Sequence, residues 1–274
     1  MPFPPILPTR YDRDFRRARN AVNQMVGSII AARRRVGAAS GDLLSMWLEA
    51  RDADDGQGMT DAQLRDEVLT MPFAGHETTA AVLSWTWALL AQHPVEEVRL
   101  HAEIDRVLAG RLPRAEDFMQ LPWTRGVIEE SMRLHPPLYI LIRRAAADDV
   151  VCGKRIHQGD VVVLSPLILH RSPLDWERPD DYLPDRWLDP EAERKRPRFA
   201  WVPFGGGPRQ CIGNAFAMME AVLILATLAQ RFSPRLADHS VLRPEYLVLA
   251  RPAEGAPMIL RKRKAPQKCP MPLP

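Results

Sequence analysis

The chain has 274 residues, 46% of them hydrophobic, and Lys+Arg 37 against Asp+Glu 34 leave a net charge of +3. That much apolar side chain supports a sizeable buried core, and the near balance of charge gives no reason to expect nucleic acid as a partner. The three cysteines, Cys152, Cys211 and Cys269, are far apart and lack CxxC or Cys/His finger spacing, which argues against zinc and a disulfide framework and suits a reducing cytoplasm.

Met1-Pro2-Phe3-Pro4-Pro5-Ile6-Leu7-Pro8 has neither a basic leader nor a long apolar run, so residues 1–11 read as a proline-rich linker rather than a signal peptide or anchor. From Asp12 to Arg35, Phe15, Val22, Met25, Val26, Ile29 and Ile30 recur at helical spacing among arginines and predict an amphipathic helix. A short helix is expected from Gly41 to Arg51, then a polar loop from Asp52 to Gly58. Thr60-Asp61-Ala62-Gln63 is a capping box that opens a helix running to His93, where Pro94 stops it. At about 1.5 Å per residue this helix is roughly 50 Å long. Its most apolar stretch, Ala80 to Ala91, is broken by Ser84 and Thr86 and is too short to span a bilayer, so a soluble protein is expected. Pro72, Gly75 and the polar run His76-Glu77-Thr78-Thr79 interrupt its middle. Taken alone they describe a helix kinked for packing, with Thr78 bonding back to the Ala74 carbonyl.

Helices are expected again at Pro94–Leu108 and Leu121–Leu134. In the second, Glu130 and Arg133 stand one turn apart as an i,i+3 pair, a pattern common on surface helices. Short β-rich runs follow around Leu138–Arg144, Val150–Ile156 and Asp160–Leu164, with Gly and polar turns between them. Phe204-Gly205-Gly206-Gly207-Pro208-Arg209-Gln210-Cys211-Ile212-Gly213 reads as a glycine-rich loop running into a helix over Ala215–Arg231. Exposed N–H groups and the dipole at a helix start favour a thiolate, which leaves Cys211 open to three readings: an inert packed thiol, a nucleophile or an anionic metal ligand. Tyr246–Leu249 and Met258–Leu260 look like a terminal hairpin, and 261–274 like a basic, proline-containing solvated tail.

Several of these segments resemble the cytochrome P450 family. Phe204, Gly207, Arg209, Cys211 and Gly213 fill F-x-x-G-x-R-x-C-x-G, similar to its heme-binding loop. Ala74-Gly75-His76-Glu77-Thr78-Thr79 is similar to its A-G-x-[DE]-T-T run, and Glu130-x-x-Arg133 precedes Pro184-Asp185-Arg186-Trp187 in the family's order, with Asp and Trp where P-E-R-F has Glu and Phe. The resemblance covers about Asp12 to Leu260 and implies a heme-binding domain over 12–260. The implied fold is mainly α with small β-sheets, a cytochrome P450 fold whose N-terminal part is absent, from a soluble, bacterial-type member. It implies heme b as cofactor, with Cys211 as the axial thiolate of the iron and Phe204 beside the sulfur. Gly205, Gly213, Ala217 and Ala74 would lie against the cofactor. Arg209 would meet one propionate and Arg144 the other, with Arg143 in reserve. Thr78 would hold a hydrogen-bonded water or dioxygen, and Glu77 would relay protons inward. Glu130, Arg133 and Arg186 would form a buried ion network. His170-Arg171-Ser172-Pro173 and Trp176–Asp180 continue in the family's order as scaffold, and Leu138–Leu141 would line the substrate pocket.

The implied activity is a heme-thiolate monooxygenase that places one oxygen atom of O2 in a small apolar organic substrate. Electrons would come from a separate ferredoxin or flavin reductase, since no flavin or nicotinamide motif is present. Placement in the cytoplasm follows from the cysteine usage. The alternative is a truncated, non-catalytic or weakly heme-binding fragment, because family members carry a substantial N-terminal half ahead of the first helix here.

Overall fold

In the computed structural model, which describes residues 9–37, 41–237 and 242–263, the chain divides between His76 and Glu77 into two compact units. The division falls inside one continuous helix.

In the first unit, α1 (Arg10–Val36) starts ahead of the expected Asp12. Thr9 and Asp12 form a capping box, in which Asp12 N–H donates to Thr9 Oγ1 at 3.2 Å and Thr9 N–H to the Asp12 carboxylate at 2.9 Å. Residues 9–11 thus belong to the helix start and not to a linker; the rest of the expected linker, 1–8, lies outside the described residues. α2 (Leu43–Glu49) is capped by Asp42, whose carboxylate accepts from Ser45 N–H at 3.0 Å. α1, α2 and the start of α3 (Asp61–Gln92) bury Val26, Ile30 and Leu64, with Leu44, Trp47 and Leu48 against them. Arg34 pairs with Asp61 at 2.5 Å, and Arg33 with Asp42. α3 opens on the box read in the sequence, with Gln63 N–H on Thr60 Oγ1 at 3.3 Å and Thr60 N–H on Gln63 Oε1 at 2.9 Å. It stays helical through Pro72.

The second unit is built on the C-terminal part of α3, α4 (Pro94–Leu108), α5 (Pro122–Leu134), the short α6 (Pro166–Leu169) and α7 (Pro190–Lys195), and α8 (Asn214–Ala229). Leu100, Ile104 and Leu108 of α4, Val127 and Ile128 of α5, and Val222, Leu225, Ala226 and Ala229 of α8 are all fully buried in one cluster. The alanines of α8 keep its surface flat enough for helices on more than one side. α5 has no side-chain cap of its own. Instead the buried Glu103 of α4 accepts from Trp123 N–H and Thr124 N–H, both at 2.8 Å, and from Thr124 Oγ1 at 2.7 Å. A carboxylate there satisfies orphan amides and favours the positive end of the helix dipole.

Two-stranded antiparallel sheets surround this bundle. β1 (Leu141–Arg144) pairs with β4 (Val161–Leu164), Leu141 opposite Leu164 and Arg144 opposite Val161. β2 (Asp149–Val151) and β3 (Lys154–Ile156) form a hairpin. Its two turn residues, Cys152 and Gly153, have φ of 51° and 75°, as a two-residue primed turn requires. β6 (Pro244–Tyr246) pairs with β7 (Ala250–Pro252), and β5 (Phe232–Leu236) with β8 (Met258–Lys262).

The last pairing corrects the expected terminal hairpin. Met258–Leu260 lies against β5, not against Tyr246–Leu249, because β5 continues the chain directly out of α8. The strand also runs past the expected boundary at Leu260. Arg263 follows it with a salt bridge to Asp105 at 2.7 Å and a bond from Nη1 to the Ala229 carbonyl at 2.8 Å, so 261–263 are built into the fold. The remainder of the expected tail, 264–274, lies outside the described residues. No described helix is long and apolar enough to cross a membrane.

Candidate active site around Cys211

The cysteine loop is held by its own backbone. Gly205 N–H donates to the Val202 carbonyl at 3.0 Å, Gln210 N–H to Gly207 at 3.0 Å, and Cys211 N–H to Phe204 at 2.9 Å. Gly205 and Gly207 have φ of 69° and 70°, a conformation that costs other residues strain, which is why the turn is glycine-rich. Leu141 of β1 closes on the same turn, 3.8 Å from where a side chain on Gly205 would begin. Cys211 is exposed, and a Cβ on Gly213 would stand 4.0 Å from its Sγ. The helix proper starts at Asn214 with Gly213 in the cap position. Cys211 therefore sits just ahead of the helix rather than in its first turn. Ala217, half-buried in α8, donates its N–H to the Gly213 carbonyl at 2.8 Å. Shortly after Cys211 in the chain, the apolar Ile212 and Phe216 are 93% and 69% exposed.

Behind the loop, Phe204 is half-buried and stands edge-on to Trp201, with centroids 6.5 Å apart. Trp201 is 4.9 Å from Trp187, and Trp187 is 5.7 Å from Trp176. This aromatic run ends at the ion network. Glu130 and Arg133 are fully buried and pair through two 2.9 Å bonds, and Arg186 Nε reaches Glu130 Oε1 at 3.0 Å. Arg133 also donates to the carbonyls of His170 (2.8 Å), Pro179 (2.6 Å) and Asp181 (2.9 Å), so each N–H of the guanidinium has an acceptor. Glu130 further accepts from Leu183 N–H and Trp187 Nε1, both at 2.9 Å. A buried pair is tolerable only when its remaining donors and acceptors are matched in this way.

Sequence reasoning missed Trp187 and His170 as members of this assembly. The signal for Trp187 was present, since Trp in place of Phe adds one N–H that must be satisfied when buried. The carbonyl partners of Arg133 carry no side-chain signature and were not legible.

On α3, Glu77 is exposed and Thr78 half-buried. The neighbouring Thr79 is buried and its hydroxyl lies 3.2 Å from Glu220 of α8, a contact the sequence did not indicate. Ala74 is exposed and belongs to the first unit. Arg209 is exposed, and no hydrogen-bond or ion-pair partner for its side chain is found among the described residues. Arg144 is exposed and donates to the Gly159 carbonyl at 3.2 Å, while Arg143 donates to Ile142 at 2.9 Å. A cavity of about 470 Å³ lies within the first unit, lined in part by Arg33, Trp47, Arg51 and Met59, and includes none of the candidate residues.

A thiol at a glycine turn, an aromatic run behind it and a buried Glu–Arg–Arg network stand together in the second unit, and comparison with known proteins gives the family. The family model for cytochrome P450 matches residues 1–256. The chain belongs to the cytochrome P450 family, whose cofactor is heme b. It is 42% identical over 229 residues to cyclooctat-9-en-7-ol 5-monooxygenase of Streptomyces melanosporofaciens, covering 84% of this chain and 50% of that protein. Pentalenene oxygenase of Streptomyces avermitilis is 36% identical, with 87% of this chain and 53% of that protein covered. The crystal structure of the cytochrome P450DA heme domain superposes with a TM-score of 0.85 at 33% identity, covering 93% of this chain and 57% of that one. The chain thus spans about half the length of the curated relatives it matches, and its fold is a partial cytochrome P450 fold.

Proposed function

We propose that this chain carries the cysteine-ligand part of a heme-thiolate monooxygenase, with Cys211 as the axial ligand of heme b. The observation that carries the reading is the presentation of Cys211. Its backbone is locked by the Phe204 carbonyl, yet Cys211 is exposed, and so are the large apolar side chains of Ile212 and Phe216 that follow it in the chain. A cysteine kept only for packing is ordinarily buried; an exposed one on an apolar surface suits a flat apolar ligand with a metal at its centre. The residues present fit heme in the chemistry of that donor set: one thiolate, glycines that permit close approach, and cationic Arg209 and Arg144 for its carboxylates.

When bound, heme supplies the iron at which O2 is activated, and a thiolate ligand favours cleavage of the O–O bond. The reaction takes a substrate C–H bond, O2, two electrons and two protons to a C–OH group and water. The electrons come from a separate redox protein, a ferredoxin or a flavin reductase. Glu77, an exposed carboxylate, collects protons from solvent, and the half-buried hydroxyl of Thr78 hands them inward. Phe204 fixes the Cys211 backbone through its carbonyl. Glu130, Arg133 and Arg186 brace the cysteine loop. Leu138–Leu141 contribute apolar wall, and the substrate is a small apolar organic molecule, in keeping with the alkene and alkenol in the relatives' names.

Reconstitution with heme, reduction and addition of carbon monoxide tests the reading. A strongly red-shifted Soret band, abolished in Cys211→Ser, is expected; a band that persists in Cys211→Ser removes the ligand assignment. A second reading, in which this chain alone binds heme weakly or not at all, is favoured by the apolar surface on β1 and β4, where Ile142, Val161 and Val163 are each more than half exposed. Under that reading the band appears only when the chain is extended to the length of its relatives.

A further inference from the structure

We infer that His170 is a positioning residue for the cysteine loop: its imidazole holds the Val202 N–H and so sets the segment running through Phe204 to Cys211 in register with Arg133. His170 follows α6 and is fully buried. Its main chain and side chain serve different partners. The carbonyl receives Arg133 Nη1 at 2.8 Å, and Nε2 receives the Val202 amide at 2.8 Å. The Val202 carbonyl then takes the N–H of Gly205 at 3.0 Å, and the Phe204 carbonyl that of Cys211 at 2.9 Å. Direct hydrogen bonds therefore lead from Glu130 through Arg133, His170 and Val202 into the glycine turn.

The chemistry of the ring follows. Nε2 accepts, so it carries a lone pair and the proton is on Nδ1. Burial holds the imidazolium pKa down, to about 4, so the ring remains a neutral acceptor at neutral pH. The Cys211 sulfur has no polar partner among the described residues, so its place is inherited from its backbone. A loop loosened at Val202 presents that sulfur in more than one position. This consequence for the sulfur rests on the heme reading of Cys211; the ordering of the loop does not.

The test uses the whole chain in two arms. In amide hydrogen exchange without heme, His170→Leu should speed exchange at Val202 by about tenfold or more while the core amides of Leu100 and Ile104 hold their protection. His170→Gln, which offers an acceptor near the position of Nε2, should restore most of the protection. Unchanged Val202 exchange in His170→Leu, or an equal rise at every amide with no rescue by Gln, overturns the proposal. Should His170→Leu not fold, long-range proton–nitrogen spectra of the wild-type imidazole decide instead: an Nε2–H tautomer overturns it. In the second arm, the carbon monoxide spectrum with heme should show a smaller red-shifted fraction in His170→Leu and recovery in His170→Gln. If the wild type gives no such band while Val202 still responds, the heme reading has failed and the loop-ordering role stands.

Discussion

The indole N–H of Trp187 donates to Oε2 of Glu130 at 2.9 Å, deep enough that water reaches neither group. One residue therefore belongs both to the aromatic run behind the cysteine loop and to the shell of a buried carboxylate. Trp187→Phe keeps the ring stack but strands one lone pair of a charged acceptor. A loss of about 1.5–3 kcal/mol is expected for that hydrogen bond, read as a lower urea midpoint with unchanged slope. A midpoint equal to wild type would mean that the other donors to Glu130 already saturate it.

Gly126 of α5 faces the turn Pro184–Trp187. A Cβ there would lie 3.0 Å from the Pro184 carbonyl oxygen and 3.4 Å from Trp187 Cβ. Alanine gains about 1 kcal/mol of helix propensity but must push a backbone atom away, and overpacking typically costs about 1–3 kcal/mol. Gly126→Ala is expected to be destabilising by about 1 kcal/mol net. A stabilised protein in thermal unfolding would show that the turn yields freely.

Burial lowers the pKa of His170 to about 4 and that of His135, stacked on Trp85 at 3.7 Å, to about 3, from 6.5. Between pH 6.5 and about 4 the unfolded chain binds protons that the fold refuses, so these groups make stability fall as pH drops. The slope is about 1.4 kcal/mol per unit for each. Glu129 acts in the opposite sense. Burial raises its pKa from 4.5 to about 7, so the fold holds a proton the unfolded chain gives up, and this contribution is lost as pH rises across that interval. Denaturant titrations at several pH values check both signs: His170→Gln should flatten the acid limb, and Glu129→Gln should remove a decline between pH 4.5 and 7.

If Thr78 has the proposed proton-relay role, Thr78→Ala should leave heme binding intact while product per electron pair consumed falls severalfold and peroxide rises, since a positioned proton donor is worth about 10²–10⁴-fold. Unchanged coupling would take Thr78 out of the proton path.

Much of this was legible in the chain itself. The Thr60–Gln63 box, the stop at Pro94 and the glycines around Cys211 act over a few residues, and local backbone chemistry is written in local sequence. The pairing of Glu130 with Arg133 is one helical turn and could be read in the same way. The strand pairing could not: β5 finds β8 across the β6–β7 hairpin because of where α8 delivers the chain. Nor could the division within α3, which reflects how contacts gather on either side of His76 and Glu77.

By itself, then, the order of residues determined which side chain is the candidate ligand, which stretches form the long helices, and to which family the chain belongs. Only the tertiary structure decided that Trp187 and Leu183 complete Glu130, that Glu103 caps a helix other than its own, and that His170 joins Arg133 to Val202. Those are matches between buried donors and acceptors distant in sequence. Each depends on the lone pairs left unpaired once packing excludes water, a property of the assembled core that no local pattern contains.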